Sequence, residues 1–204
     1  MDNIILIGAG GHARACIDVI ESTGIYKIAG LVEKLDFQAI DNLGYSLIGT
    51  DNDLPELRKI YKKALITVGQ IDSAATRVKL FELISDLKFQ IPVVVSPRAH
   101  VSKHSNIGDG TIIMHDVLVN ANAKIGQNCI INTKALIEHD TVVNDHCHIS
   151  TGAIVNGKVT IGRESFIGSG AVTKQSISIG DKCFINAGCT IKTNIESHKV
   201  IKNG

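Results

Sequence analysis

A chain of 204 residues with a formal net charge of +1 has room for one large or two small domains, and it carries no basic run that would mark a nucleic-acid surface. Aromatic residues make up 4% and tryptophan is absent, while Ile and Val are abundant, as expected of thin parallel strands. No apolar run reaches transmembrane length, and the opening residues are too short and too glycine-rich for a secretory signal, so a cytoplasmic protein is expected.

Residues 3–8 form an apolar run closed by glycine, read as a buried parallel strand. Gly8-Ala9-Gly10-Gly11-His12-Ala13-Arg14 follows and opens a helix expected over 13–22, ending near Gly24. Its G-x-G-x-x-A spacing fits the dinucleotide fingerprint, in which glycines let backbone N–H groups approach an anion at a helix N-terminus. A second strand over 27–32 runs into Glu33-Lys34, where an acid can meet a ribose hydroxyl. Beyond it, Asp51 or Asp53 is expected to cap a helix over 54–61, and a strand over 64–68 ends at Gly69. An amphipathic helix over 73–87 precedes a last strand at 91–95, whose Pro92 suggests a sheet edge and which stops at Ser96-Pro97. Residues 1–97 therefore read as a small Rossmann-like α/β domain, sized for a mononucleotide rather than for a full dehydrogenase.

From Val101 to Ile191 every sixth residue is Ile or Val, with Thr173 the single exception, and four residues after each stands a small or β-branched residue. Each hexapeptide makes a short strand and a turn, and three close one triangular coil of about eighteen residues, giving about five stacked coils. A β-sandwich has turn signals without a fixed six-residue period, so residues 98–192 are expected to form a parallel β-helix. Cys129, Cys147, Cys183 and Cys189 occupy the small inward position and are expected to be packing residues; Cys16 is expected to pack within the first helix. Thr173 is expected to be a tolerated defect or a loop. Residues 193–204 lose the repeat and are expected to form a short cap or a mobile tail.

Register also aims the polar residues. His139, between Glu138 and Asp140, points outward from a corner, and one coil later stands Gly157, read as leaving room for a ligand above the imidazole. The flanking acids can fix one tautomer and favour its charged form after proton uptake, which makes His139 a candidate general base. His148 is a candidate for an acyl or pantetheine contact, or a hydrogen bond across coils, and His12 a candidate for a phosphate or sugar contact, or a cap. No two histidines stand five apart, so a zinc site of carbonic-anhydrase type is not expected. The outward column Leu118, Leu136, Ile154 and Val172 is apolar on successive coils, as a surface covered by a neighbour would be.

Together, Gly8-Ala9-Gly10-Gly11-His12-Ala13-Arg14, Ser96-Pro97 and the segments 131–140 and 148–153 closely resemble, over essentially the whole chain, the bacterial sugar O- and N-acetyltransferases of the sialic acid biosynthesis NeuD and PglD type. The resemblance implies a left-handed parallel β-helix, a homotrimer, and acetyl-coenzyme A lying between neighbouring subunits. It implies His139 as general base, Asp140 as the acid that orients it, and His148, Gly157, Ser169 and Ala187 as residues of the coenzyme groove. Gly10, Gly11, His12, Glu33, Lys34 and Gly69 match the nucleotide-sugar site; Glu33-Lys34 stands where the family commonly has two acids. The activity so implied is acetyl-CoA-dependent N-acetylation of a nucleotide-activated amino sugar, of the UDP-4-amino-sugar type, with no metal. Sialic acid O-acetylation and a non-catalytic sugar-nucleotide binding protein are the alternatives.

Overall fold

The structure is a computed structural model that describes residues 1–34 and 42–202. Strands β1 (Asp2–Ile7), β2 (Tyr26–Val32), β3 (Leu47–Gly49) and β4 (Lys63–Ile66) form one parallel sheet in the order β3-β2-β1-β4. The apolar run of β1 is continuous because both of its faces are covered. Ile4 and Leu6 pack with Ala13, Ile17 and Ile20 of helix α1 (Gly11–Thr23). Ile5 and Ile7 pack with Leu54 of helix α2 (Leu54–Ile60) and with Leu80 and Ile84 of helix α3 (Ala75–Asp86). Helix α1 ends where Gly24 turns left-handed, at φ 64°, and its N–H returns to Glu21. The cap ahead of α2 is a reciprocal pair. The Asp53 carboxylate accepts the Thr50 N–H at 2.8 Å and the Thr50 hydroxyl at 2.9 Å, closing a 3-10 turn, whereas Asp51 makes no cap. No helix among the described residues is long and apolar enough to cross a membrane.

The apolar run at 91–95 belongs elsewhere than expected. Only Val94–Val95 is a strand, and it pairs with Ile112–Ile113, so it opens the β-helix instead of closing the amino-terminal sheet. It is indeed an edge, as Pro92 suggested. From there two-residue strands recur every six residues and stack into parallel sheets of seven, six and five strands. Register repeats at eighteen residues, as in Ile112, Ile130, His148, Phe166 and Phe184. The corners share one geometry: every sixth residue from Gly110 to Gly188 has φ between 52° and 72°. Glycine fills some of these left-handed positions, while Asn, Asp, Lys and His fill others, with stacking compensating for the local strain.

Of three further expectations, only that for Thr173 changes. Val200–Ile201 pairs with Phe184–Ile185 and Ile195 bridges Ile179, so the carboxyl-terminal segment adds a shortened final coil instead of trailing from the prism. Residues 203 and 204 lie outside the described residues. Thr173 is neither loop nor defect but a fully buried member of strand Val172–Thr173. The inward cysteines do more than fill space. Thr111, Cys129, Cys147, Ser165 and Cys183 form one inner column in which each hydroxyl or thiol donates to a turn carbonyl, those of Gly126, Asn144, Gly162, Gly180 and Glu196 respectively.

The two parts are bolted together by Arg77 of α3. Fully buried, its guanidinium donates to the carbonyls of Ile66 (3.2 Å) and Val68 (2.7 Å), and to the carbonyl (3.1 Å) and Oδ1 (2.7 Å) of Asn128 in the β-helix. Asn128 returns a bond to the Arg77 carbonyl. Burial lowers the guanidinium to about 10, which leaves it charged at neutral pH. Arg77→Met should leave these buried acceptors without a donor and cost roughly 3 kcal/mol. The check is urea unfolding, where the midpoint should fall with the slope unchanged.

Candidate active site

A cavity of about 580 Å³ opens at the carboxyl ends of β1, β2 and β4, over the first turn of α1. Gly10, Gly11, His12, Glu33, Lys34 and Gly69 all line it, so the structure brings together every residue expected to hold a nucleotide sugar. Gly8, at φ 114°, is required by the fold: a Cβ there would lie 2.6 Å from a Val68 methyl. Gly10 is different, because a Cβ there would meet no protein atom within 4 Å. Glu33 lines the cavity and is also engaged on its protein side. Its Oε2 accepts the Ala9 N–H at 2.8 Å and its Oε1 the Lys34 N–H at 3.0 Å, so the carboxylate braces the glycine turn. Across the cavity, burial and the charge of Glu33 raise the Asp51 carboxyl above its usual range.

His12 is held neutral. Burial, then the charge of Arg77 and the neighbouring His148, lowers it to about 3. Its Nε2 lies 3.3 Å from Sγ of Cys16, whose thiol burial pushes up to about 12, so two neutral groups share this contact.

The second group sits on a corner of the β-helix. His139 and Asp140 follow strand Leu136–Ile137, and Asp140 occupies the left-handed corner position at φ 61°. This turn lays the carboxylate against its neighbour: Nδ1 of His139 and Oδ2 of Asp140 are 2.8 Å apart. The other oxygen, Oδ1, accepts from Nδ2 of Asn122 at 2.7 Å, one coil earlier. The Asn122 hydrogen bond, then that of His139, holds the Asp140 carboxyl below its usual range. An ionised Asp140 fixes the proton on Nδ1 and leaves Nε2 as a lone-pair base, on a side chain 55% exposed. Glu138 adds support by accepting the His139 N–H (3.2 Å) and Nδ2 of Asn120 (2.9 Å). Asn122 escaped the sequence reading, although its place eighteen residues before Asp140 marks it in the register.

Gly157 stands beside His139, but for another reason than expected. A Cβ at Gly157 would lie 2.8 Å from Nε2 and 2.9 Å from Cε1 of His139. The imidazole itself occupies the space that the glycine leaves.

His148, Ser169 and Ala187 are not brought to this corner within one chain. His148 lies in a strand of the seven-stranded sheet, buried under the amino-terminal domain. Its Nδ1 donates to the Gln70 carbonyl, its Nε2 is 3.3 Å from Nδ2 of Asn132, and its ring stands edge-on to Phe166. Burial lowers it to about 4. Ser169 and Ala187 are exposed on turns that follow strands of that same sheet, whereas His139 follows a strand of the six-stranded sheet. Ser169 makes a 2.9 Å hydroxyl contact with Ser150.

Comparison with known proteins places this geometry. Residues 3–84 match the PglD N-terminal domain; residues 104–139 match the bacterial transferase hexapeptide (six repeats), and 158–192 the hexapeptide repeat of succinyl-transferase. The acetyltransferase domain of PglB from Neisseria gonorrhoeae FA1090, solved with acetyl coenzyme A, is 30% identical with a TM-score of 0.86, over 95% of this chain and 92% of that one. PerB from Caulobacter crescentus, solved with CoA and GDP-perosamine, is 28% identical with a TM-score of 0.89, over 98% of this chain and 93% of that one. The UDP-N-acetylbacillosamine N-acetyltransferase of Bacillus subtilis (strain 168) is 29% identical over 114 residues, 56% of this chain and 52% of that protein, so that match spans about half the relative's length.

The depressed histidines carry a pH dependence. His12 and His148 titrate at about 3 and about 4 in the fold against 6.5 when unfolded, so below 6.5 the unfolded chain binds protons that the folded chain does not. Stability is full above 6.5 and should fall toward pH 4 by up to about 1.4 kcal/mol per pH unit for each histidine. Urea midpoints across that window should drop steeply for the wild type and less steeply for His148→Asn; parallel curves for the two proteins would contradict a neutral His148.

Proposed function

The chain belongs to the hexapeptide-repeat sugar acetyltransferases of the PglD type, built as a small α/β domain on a left-handed β-helix, and from that membership we infer that it transfers the acetyl group of acetyl-CoA to the amine of a nucleotide-activated amino sugar. One observation carries this reading. A single chain combines a nucleotide-sized cavity at a helix N-terminus with a His–Asp pair whose outer nitrogen is a free base. The relatives supply the chemistry: one is named for N-acetylation of a UDP-linked sugar, and one is solved with CoA and a GDP-linked sugar.

The transfer needs no covalent intermediate on the protein. The amine lone pair attacks the thioester carbonyl carbon, and the carbonyl π pair moves onto oxygen, where backbone N–H groups stabilise it. Nε2 of His139 takes the proton from the attacking nitrogen, while Asp140 holds Nδ1–H and stabilises the imidazolium; Asn122 holds Asp140 in turn. Collapse of the tetrahedral intermediate expels the thiolate, which recovers the proton from Nε2 and leaves as free coenzyme thiol. Of the buried pair, His148 serves as a neutral wall between the nucleotide domain and the β-helix, and His12 as a neutral hydrogen-bonding group in the cavity.

The working form in this reading is a homotrimer. Leu118, Leu136, Ile154 and Val172 run down the outer face of the six-stranded sheet, between the corner of His139 and that of Ser169 and Ala187. A second copy packed on that column would bring one subunit's His139 corner toward the other's Ser169 and Ala187, completing a groove for the coenzyme.

His139→Ala should lower turnover by about 10²–10⁴-fold and leave the affinity for acetyl-CoA nearly intact. Thiol release in the presence of GDP- and UDP-linked amino sugars measures the first, and calorimetry the second. Turnover at the wild-type level would sink the assignment of the base.

A further inference from the structure

Glu33 follows β2, and Asp51 and Asp53 follow β3; two of these three carboxylates are engaged by the chain itself. Each oxygen of Glu33 accepts a backbone N–H, and Oδ2 of Asp53 accepts both the N–H and the hydroxyl of Thr50. Asp51 differs. It is partly buried and lines the cavity, yet among the described residues its carboxylate takes no hydrogen bond and forms no ion pair. Partial burial, then the charge of Glu33, disfavours a bare carboxylate at this place. An acceptor so placed, with no donor from the chain, is suited to a donor carried by a ligand.

The cavity does not end at Asp51. Asp51, Thr76 and Leu80 line both it and a second hollow of about 560 Å³, which lies between α2 and α3 with Pro55, Leu80 and Leu83 as its apolar wall. Sheet order sets the direction in which a ligand would run. Gly10 follows β1, Glu33 and Lys34 follow β2, Asp51 follows β3, and β1, β2 and β3 are successive neighbours. A phosphate at the glycine turn therefore places a ribose over the end of β2. The base then lies over the end of β3, two strand spacings or about 10 Å from the phosphate.

We propose that Asp51 is the residue that selects the base, and that the base is guanine, so that the acceptor is a GDP-linked amino sugar. This deepens the nucleotide-sugar reading given above and rests on it. The edges of the bases decide between them. Guanine presents two N–H donors side by side, N1–H and one hydrogen of the N2 amino group, which match the two oxygens of a carboxylate. Uracil, the base of the UDP type implied by the family resemblance, presents a single N3–H between two carbonyl oxygens. The second oxygen of Asp51 would then face a lone pair. Adenine and cytosine each present one amino group beside a bare ring nitrogen, which a carboxylate also repels. Guanine carries the acceptor O6 on the other side of N1–H, and Lys79 lines the same hollow as Asp51 with a donor for it.

Calorimetry on the full chain with GDP, UDP and xanthosine diphosphate tests this without any acetyl transfer. The wild type should bind GDP about tenfold or more tightly than UDP, the discrimination expected of one bidentate contact to a base. Asp51→Asn replaces one acceptor by an N–H donor and should weaken GDP by about the same factor. It should also bind xanthosine diphosphate, in which O2 stands in place of the N2 amino group, more tightly than GDP, while the wild type keeps the opposite order. UDP should bind the variant no more weakly than the wild type, whereas a cavity that was merely damaged would lose all three ligands. Because Asp53 and not Asp51 closes the turn ahead of α2, the melting temperature should not change. Equal affinity of the wild type for GDP and UDP, or an unchanged preference for GDP over xanthosine diphosphate in Asp51→Asn, would overturn the proposal. Tight GDP binding with no acetylation of a GDP-linked amino sugar would instead remove the acetyl-transfer reading and leave the assignment of the base standing.

Discussion

A hexapeptide coil cannot bury its own apolar edge, and every polar column in this molecule follows from that constraint. Because each coil is covered by the next at a fixed offset of eighteen residues, a side chain at one corner is held above and below by residues known in advance. Asn122 reaches Asp140 by this offset, Asn120 reaches Glu138, and Gly157 admits the ring of His139. The inner column of Thr111, Cys129, Cys147, Ser165 and Cys183 uses the same offset to satisfy turn carbonyls in a prism whose interior holds little else that is polar. Stacking makes the corner rigid enough for a two-residue His–Asp pair, adjacent in sequence, to hold one geometry.

The second determinant is the joint. Arg77, Gln70, His146 and His148 meet where α3 and the loop after β4 pack against the β-helix, and their bonds go mainly to carbonyls and amides. Gln70 both lines the cavity and accepts from His148, so one residue links the cavity wall to the β-helix. Such a joint sets the distance between the bound nucleotide and the edges of the prism, the quantity on which transfer to a tethered amine depends.

What could be read from the chain beforehand divides along a physical line. The six-residue period is local and one-dimensional, so the β-helix, the inward cysteines and the outward His139 all followed from it. The cavity residues were legible for a similar reason: Gly10, Gly11, His12, Glu33, Lys34 and Gly69 stand at or just after strand ends, and parallel strands gather their carboxyl ends at one edge. Properties that depend on docking were not legible. The apolar run ending at Val95 fits either sheet, and only its pairing with Ile112–Ile113 shows which. His148 is outward in the repeat, yet it is buried because the other domain covers it. Gly157 was correctly paired with His139, but spacing alone does not say whether a glycine makes room for a ligand or for the ring. Lys134, Asp140 and Lys158 hold left-handed corners that turn propensity would assign to glycine or asparagine.

The reading turns on one product. When acetyl-CoA is offered an equimolar mixture of a nucleotide-linked amino sugar and a free sialic acid, mass spectrometry and NMR identify which molecule gains the acetyl group and on which atom. The proposed function predicts acetylation of the sugar nitrogen in the nucleotide-linked molecule alone. Acetyl on a sialic acid hydroxyl, with the nucleotide sugar untouched, would contradict it.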